Sequence, residues 1–296
     1  MKILVPIDGS TYSANALEFV ASRTTLLGQN PELRLLLVLQ PLPVRAASMI
    51  APEGVKQYFE GEADKVLKPV RKFLKKHCIQ AEERVLQGEP AEVIAKEAED
   101  FGADLIIMGS RGRTALEGLF LGSVTQGVLA RTKHPILLLR GKPAPEEDAL
   151  RVGICVDGSS YGKTVVKYVL SHRELFGRAA KFDLLTVSED LSLAAMPDMG
   201  FGMPTLSKDE VKALEKETTD KAFESVRPLF AKAELKPKEV ALVGKAGEEI
   251  AYYAKKKLNM LVMGSHGYGR FKSAVLGSTT TRVASSGDIP ILVIRQ

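Results

Sequence analysis

The sequence predicts an α/β protein of two tandem domains, each with a doubly wound, five-stranded parallel sheet in the strand order 3-2-1-4-5. Two observations support this fold class: the chain of 296 residues contains an internal duplication, and short Val/Ile/Leu runs alternate with longer amphipathic segments in each half. Near-continuous apolar strands that alternate with helices are typical of a parallel sheet covered on both faces. Right-handed crossovers then favour the doubly wound order.

The duplication is clearest in the first and last apolar runs of each half. Residues 3–10 align with residues 152–159, and residues 135–140 align with residues 290–295. Self-similarity of this kind indicates that one structural unit has been repeated. We therefore expect a first domain at 1–141, a linker rich in proline and charge at 142–149, and a second domain at 150–296.

Within the first half, apolar runs predict strands near residues 2–7, 33–39, 81–86, 104–108 and 135–140. The segments between them predict helices near residues 11–28, 57–77, 90–101 and 119–132. Ala91, Ile94, Ala95 and Ala98, for example, follow the i, i+3, i+4, i+7 spacing of a helix that lies on a sheet. The second half repeats the order, with a longer second helix around 207–234.

The composition is that of an ordinary globular protein, with 45% hydrophobic and 26% charged residues. No apolar run approaches the roughly 20 residues that span a bilayer, and the first residues predict a strand rather than a signal peptide. Cys78 and Cys155 fit neither a disulfide framework nor a metal site, and the apolar run around Cys155 is typical of a buried position. We therefore expect a cytoplasmic protein without a membrane partner.

The net charge of +5 comes from the second half of the chain. Residues 149–296 contain 22 basic and 17 acidic side chains, against 19 and 19 in residues 1–148. Nucleic-acid binding would need basic residues clustered with aromatic residues or within a recognition motif. The densest basic run, residues 255–257, falls near a predicted helix C-terminus, where cations are favoured. We therefore expect no nucleic-acid partner.

A glycine pattern follows the fourth predicted strand of each half. It consists of Gly109-x2-Gly112 with Gly122-Ser123, and of Gly264-x2-Gly267 with Gly277-Ser278. Glycine lets the backbone approach a phosphate closely, and the N–H groups at a helix start bind anions. A plain serine N-cap is the alternative, but a cap requires neither the preceding glycine nor the distant glycine pair. The pattern therefore predicts a phosphate site in each half.

The predicted strand order places further residues at the same edge, because ligands bind where the order of a doubly wound sheet reverses. Asp8 and Asp157 follow the first strand of each half and could accept a hydrogen bond from a ligand N–H or hydroxyl group. Alternatively, each caps or turns the chain into the next helix, and both roles can hold if Ser10 or Ser159 is the cap. Val38 and Val187, at the ends of the second strands, could form an apolar wall for a planar base or simply pack.

Charged residues in the glycine loops leave two interpretations open. Arg111, Arg113 and Arg270 could neutralise phosphate charge or be ordinary exposed arginines, and His266 stands where the first half has Arg111. Neither half contains a Walker Gly-Lys-Ser/Thr sequence, metal-ligand spacing or a nucleophile–base arrangement. We therefore predict no catalytic residue and no metal ligand.

Each half resembles a universal stress protein domain, and the whole chain resembles the tandem type of that family. Both halves match the family's ATP-binding pattern Gly-x2-Gly-x9-Gly-Ser/Thr, and residues 6–10 and 155–159 are similar to its nucleoside-contacting segment. The loop at 265–270 matches the family more closely than the loop at 111–115. The resemblance implies an adenine nucleotide α-hydrolase-like fold that binds ATP, ADP or AMP, with or without Mg²⁺. It also implies pairing of the two halves through their fifth strands, and it leaves a homodimer open.

The resemblance and the strand-end positions together define the candidate cofactor-binding residues. In the first half they are Pro6, Ile7, Asp8, Val38, Met108, Gly109, Arg111, Gly112, Gly122, Ser123 and Val124. In the second half they are Val156, Asp157, Val187, Met263, Gly264, His266, Gly267, Gly277, Ser278 and Thr279.

Three classes of function are open at this point. We favour a nucleotide-binding regulatory protein of the stress response, in which occupancy changes loop order or partner affinity. The second class is a slow ATPase or phosphotransfer enzyme. The third is a carrier of an apolar ligand beneath two loops rich in apolar residues, 41–55 and 188–206.

Overall fold

The structure, a computed structural model, describes residues 1–43, 45, 48–110, 121–139, 149–191, 206–265, 276–286 and 289–295. The chain forms two compact units. The first consists of Met1–Asp148 with Glu174–Arg178 and Pro290–Arg295, and the second of Ala149–Arg173 with Ala179–Ile289. Among the described residues, no helix combines the length and apolar character needed to cross a membrane.

The first repeat has five parallel strands in the order β3-β2-β1-β4-β5, which confirms the predicted topology. Every residue of β4 and β5 is buried, as is all of β1 after its first residue. This burial explains the near-continuous apolar runs of the sequence. The strands are β1 (Lys2–Ile7), β2 (Glu32–Leu39), β3 (Glu82–Gln87), β4 (Leu105–Gly109) and β5 (Ile136–Leu139). The helices are α1 (Thr11–Ser22), α2 (Thr24–Leu27), α3 (Pro52–Lys76), α4 (Pro90–Phe101) and α5 (Ser123–Arg131).

The second repeat has the same strand order, β8-β7-β6-β9-β10, and strands β6 to β9 are parallel. Its strands are β6 (Arg151–Cys155), β7 (Lys181–Ser188), β8 (Lys238–Val243), β9 (Met260–Gly264) and β10 (Ile291–Ile294). Its α-helices are α6 (Ser160–Ser171), α7 (Lys208–Glu224), α8 (Arg227–Lys232), α9 (Ala246–Lys257) and α10 (Ser278–Ser286), and one 3-10 turn covers Arg173–Leu175.

The fifth strands of the two repeats pair with each other. Strand β10 runs antiparallel to β5, with Leu292 opposite Leu137, and by its contacts belongs to the first unit. All residues of both strands are buried. The predicted pairing of the fifth strands is therefore confirmed, and it removes two apolar sheet edges that would otherwise be open to other chains.

Two predicted helices are each broken into two. The helix predicted at 11–28 is interrupted at Arg23, whose backbone has ψ 71°. The helix predicted at 207–234 is interrupted between Glu224 and Arg227, just before Pro228, which cannot donate the backbone hydrogen bond of a continuous helix but fits the first turn of a new one. Helix α3 begins at Pro52, five residues before the predicted start at 57, because proline is compatible with a first helical position. Apart from residue 149, the predicted linker lies outside the described residues.

Candidate anion-binding site

The predicted residues at the strand ends come together in each repeat, where the strand order reverses. The register of β1 with β4 and with β2, continued to the strand ends, places Asp8 beside Ser110 on one side and Val38 on the other. The register of β6 with β9 and with β7 places Asp157 between Ser265 and Val187 in the same way. Sequence positions about 100 residues apart therefore share one edge of the sheet.

The aspartate at the end of β1 turns the chain, and the serine that follows caps the next helix. Asp8 Oδ1 accepts a hydrogen bond from the Ser10 N–H at 2.9 Å, and the Ser10 hydroxyl accepts one from the Ser13 N–H at 3.2 Å at the start of α1. Gly9, between them, has φ +79°, a conformation that favours glycine. Asp8 therefore forms the turn and Ser10 caps the helix, which is the division of roles that the sequence left open.

The second repeat reproduces this turn. Asp157 Oδ1 accepts hydrogen bonds from the Ser159 N–H at 3.0 Å and from the Ser159 hydroxyl at 2.5 Å, and Ser159 caps α6. Gly158 has φ +80°, nearly the value of its counterpart. Both of these bonds fall on Oδ1, so among the described residues no donor bonds to Oδ2. This oxygen is available to a ligand N–H or hydroxyl group.

Gly109 ends β4 at a point where a side chain would not fit. A Cβ added there would lie 2.5 Å from Tyr12 Cβ and 3.0 Å from the Tyr12 backbone, at the first turn of α1. The glycine therefore lets β4 and α1 approach each other closely, whatever else it does. The glycine pattern in the sequence predicts only a ligand at this position and does not reveal the contact with Tyr12.

Two hydrogen bonds tie the end of β4 to the start of α5. The Gly109 carbonyl accepts from the buried Thr125 hydroxyl at 3.1 Å, and the Ser110 carbonyl accepts from the Gly122 N–H at 2.8 Å. The second repeat has the same two bonds, from Thr280 to Gly264 at 3.0 Å and from Gly277 to Ser265 at 2.7 Å. Neither threonine is among the predicted site residues, although each stands two residues after the Gly-Ser pair.

Helix α5 begins at this edge without a side-chain cap. Gly122 is the N-cap, Ser123 is the exposed first helical residue, and among the described residues no side chain accepts a hydrogen bond from the first amides. A plain serine cap is therefore wrong for Ser123. The first N–H groups of an α-helix have no partner within the helix and lie at the positive end of its dipole. The amides of Ser123 and Val124 thus offer donors to an anion beside Asp8.

The start of α10 has the same backbone pattern. Its first residue is Ser278, and the Thr281 N–H bonds to the Gly277 carbonyl at 2.9 Å, as the Gln126 N–H bonds to the Gly122 carbonyl at 3.0 Å. Ser278 is exposed and Thr279 is half-buried, matching Ser123 and Val124.

The apolar candidates divide into core residues and residues at the surface of the site. Val38 and Val187 are half-buried at the tips of β2 and β7, where they can face a ligand. Val124 is half-buried at the start of α5, and the other apolar candidates are buried at or near the strands: Pro6, Ile7, Met108, Val156 and Met263.

Six candidate or alternative residues in the glycine loops lie outside the described residues: Arg111, Gly112, Arg113, His266, Gly267 and Arg270. Of the two long loops, residues 41–55 are described except for 44, 46 and 47, and residues 192–205 lie outside. The predictions made for these positions stay predictions.

Cys155, the last residue of β6, lies two residues before Asp157. Burial, with a smaller contribution from the Asp157 charge, raises the pKa of its thiol from 9.0 to about 12. The thiol is therefore protonated at neutral pH and is a poor nucleophile. Within the part of the chain that the structure describes, no group of three or more His, Cys, Asp or Glu side chains could hold a metal ion.

The same turn, helix start and pair of hydrogen bonds occur twice on doubly wound sheets, which defines a tandem α/β protein, and sequence comparison assigns the family. The sequence model described as "Universal stress protein family" matches residues 1–140 and again residues 150–295. The chain therefore belongs to the universal stress protein family and is a tandem, two-domain member.

Individual relatives agree with this assignment. A curated relative, universal stress protein MJ0577 from Methanocaldococcus jannaschii, is 30% identical over 156 residues, which are 48% of this chain and 95% of the relative. The crystal structure of a universal stress protein from Archaeoglobus fulgidus is 20% identical, with a TM-score of 0.66, and the match covers 100% of this chain and 96% of that one. This likeness shows the fold.

A further solved relative carries a bound nucleotide. It is a universal stress protein in complex with cAMP, 24% identical, with a TM-score of 0.33 and coverage of 47% of this chain and 94% of that chain.

Proposed function

We propose that this tandem universal stress protein binds an adenine nucleotide, ATP, ADP or AMP, in each of its two halves, and that occupancy regulates its part in the stress response. The observation that carries the proposal is the repeated site frame. In each half an aspartate, Asp8 or Asp157, forms a turn that holds its carboxylate near the start of a helix, α5 or α10. A threonine hydroxyl and a glycine N–H at the start of that helix bond to the end of the neighbouring strand. Both halves keep the frame, so the proposal is two nucleotides per chain.

The chemistry of the frame suits the two ends of a nucleotide. The N-terminal amides of α5 and α10 favour phosphate oxygens, because their N–H groups and the helix dipole both attract negative charge. Asp8 and Asp157 can accept a hydrogen bond from a ribose hydroxyl or a base N–H, and Val38 and Val187 offer apolar contact to the base. Mg²⁺ enters only as a counter-ion that accompanies the phosphates of ATP.

We infer that the sites bind and do not catalyse. The residues described around them supply donors, an acceptor and apolar contact, and the nearby Cys155 thiol is protonated. Regulation would then act by a shift between two conformational states, limited by the difference in nucleotide affinity between them. Limited proteolysis of loops 41–55 and 188–206 with and without ATP tests this part of the proposal, and unchanged cleavage in both loops would contradict it.

Calorimetric titration of ATP into single and double variants tests the binding itself. Asp8→Ala and Asp157→Ala should each weaken or remove one of two sites, and the double variant should lose both. Asp209→Ala, an exposed first-turn residue of α7 far along the chain from either site, is the matched control and should bind like the wild type. Wild-type stoichiometry and affinity in both single variants and in the double variant would contradict the assignment of the carboxylates.

A further inference from the structure

A second candidate site lies at the other ends of the strands, in the second unit. A cavity of about 400 Å³ opens at the amino ends of β6, β7 and β8. Four cationic side chains line it, Arg151, Lys181, Lys236 and Lys238, together with a single carboxylate, Asp183. The rest of its wall includes the apolar residues Leu235 and Pro237. We call this set the basic groove.

The first repeat shows what these positions look like when their charges are balanced. There the cross-strand neighbours have opposite charge: Lys2 stands beside Glu32, and Arg34 beside Glu82. Arg34 bonds to Glu82 at 2.7 Å and to the buried Glu97 at 2.9 Å. All of these basic side chains are therefore paired.

In the second repeat, lysine replaces the acidic residue at two of these positions. Lys181 occupies the position of Glu32 and stands beside Arg151, so that two cations are neighbours. Lys238 occupies the position of Glu82 and stands beside Asp183. Like charges directly opposite each other on neighbouring strands are destabilising. Arg151 is neutralised by Asp183 at 3.0 Å, whereas Lys181 has a cation and not a carboxylate as its neighbour on β6.

The carboxylate of the basic groove, Asp183, is already hydrogen-bonded to Arg151 and Tyr253. Asp183 Oδ2 accepts from the Arg151 guanidinium at 3.0 Å and from the Tyr253 hydroxyl at 2.8 Å, with 3% of the side chain exposed. Tyr253 stands where the first repeat has Glu97, so a second carboxylate has been lost there. In the part of the chain that the structure describes, Lys181, Lys236 and Lys238 are exposed and form no ion pair.

We propose that the basic groove binds a small polyanion, a molecule with two or more phosphate or carboxylate groups. Lysine ammonium groups suit such groups as point charges with several donors. The volume lies within the range of small-molecule pockets, and the apolar wall can contact the uncharged part of a ligand. A nucleic-acid strand is disfavoured, because its bases need exposed aromatic faces and the one aromatic side chain of the groove, Phe182, is buried.

The test uses tripolyphosphate and citrate as probes and the first repeat as the source of substitutions. Lys181→Glu with Lys238→Glu introduces the acidic residues of the first repeat, but the new carboxylate at position 238 stands beside Asp183, where the first repeat has Arg34. Lys181→Gln with Lys238→Gln removes the two positive charges without adding carboxylates, and it replaces the Glu variant if that variant does not fold. The control, Lys212→Glu with Lys216→Glu, makes the same charge change on exposed positions of α7.

Amide NMR of the full chain at low salt, with calorimetry, gives the readout. We expect tripolyphosphate to shift amides at 151, 181–183, 236 and 238, and the Glu variant to weaken that binding by roughly tenfold or more while the control does not. Location by amide shifts separates this site from the proposed nucleotide sites at the opposite strand ends. Response to citrate as well would indicate a general polyanion site, and response to tripolyphosphate alone a phosphate site. Shifts confined to the glycine segments, or binding of single-stranded RNA without either probe, would overturn the proposal.

Discussion

The clearest structural requirement of the site frame is the missing side chain at Gly109, and its replacement by alanine is the most informative perturbation. The added Cβ would lie 2.5 Å from Tyr12 Cβ and 3.0 Å from the Tyr12 carbonyl carbon and oxygen. Because the neighbouring atoms are backbone and Cβ, they cannot move aside as a flexible side chain would. Strand β4 or helix α1 must shift, and overpacking of this kind costs about 1–3 kcal/mol.

Gly61→Ala is the matched control, since it adds the same methyl group where nothing lies within 4 Å. Gly61 is exposed inside α3, so alanine there should stabilise the helix by about 0.5–1 kcal/mol. The two variants should therefore move thermal unfolding in opposite directions, by about 2–4 °C per kcal/mol for a unit of this size. Differential scanning calorimetry without nucleotide measures both. Equal melting temperatures for Gly109→Ala and the wild type would refute the reasoning, and would leave the ligand as the only explanation of this glycine.

Three further changes test other parts of the structure. Thr125→Val or Thr280→Val removes the hydroxyl that bonds to the preceding strand end and should cost about 1–2 kcal/mol in urea unfolding, whereas the exposed Thr218→Val should change stability by less than about 0.5 kcal/mol. Tyr253→Phe takes one donor from the buried Asp183 carboxylate and should cost about 1–3 kcal/mol; a loss no greater than that of Tyr252→Phe, at a ring that is 61% exposed, would contradict this network. The raised pKa of Cys155 means that the folded state holds its proton more tightly than the unfolded chain, so stability should fall as pH rises from 9 toward 12, and Cys155→Ala should flatten that part of the pH–stability curve.

The sequence was sufficient for the topology, because duplication and buried apolar strands leave few arrangements open. It was less informative about the helices. Pro228 was a visible signal for the break before α8, but nothing in the residues around Arg23 marks the break between α1 and α2. The break at Arg23 became visible only in the fold.

For the site, the sequence identified the residues at the strand ends but not all the reasons for them. The aspartates lie beside the residues that follow Gly109 and Gly264 because strand order brings these strand ends together, and the Gly122 and Gly277 N–H bonds hold the helix starts there. The contact between Gly109 and Tyr12 depends on the separation of a helix and a strand, which no local pattern encodes. The basic groove was hidden for a similar reason: Lys181 and Lys238 are far apart in sequence, and only the register of β7 with β8 brings their positions together. The excess charge of the second half was visible, but its location was not.

Native mass spectrometry of the gently purified chain, with and without added ATP, tests the central claim most directly. The two repeats share the Asx turn, the threonine bond and the glycine N–H bond, so we expect two adenine nucleotides per chain. One nucleotide per chain would mean that residues other than these shared ones determine which repeat binds. No nucleotide at millimolar ATP would contradict the proposed function.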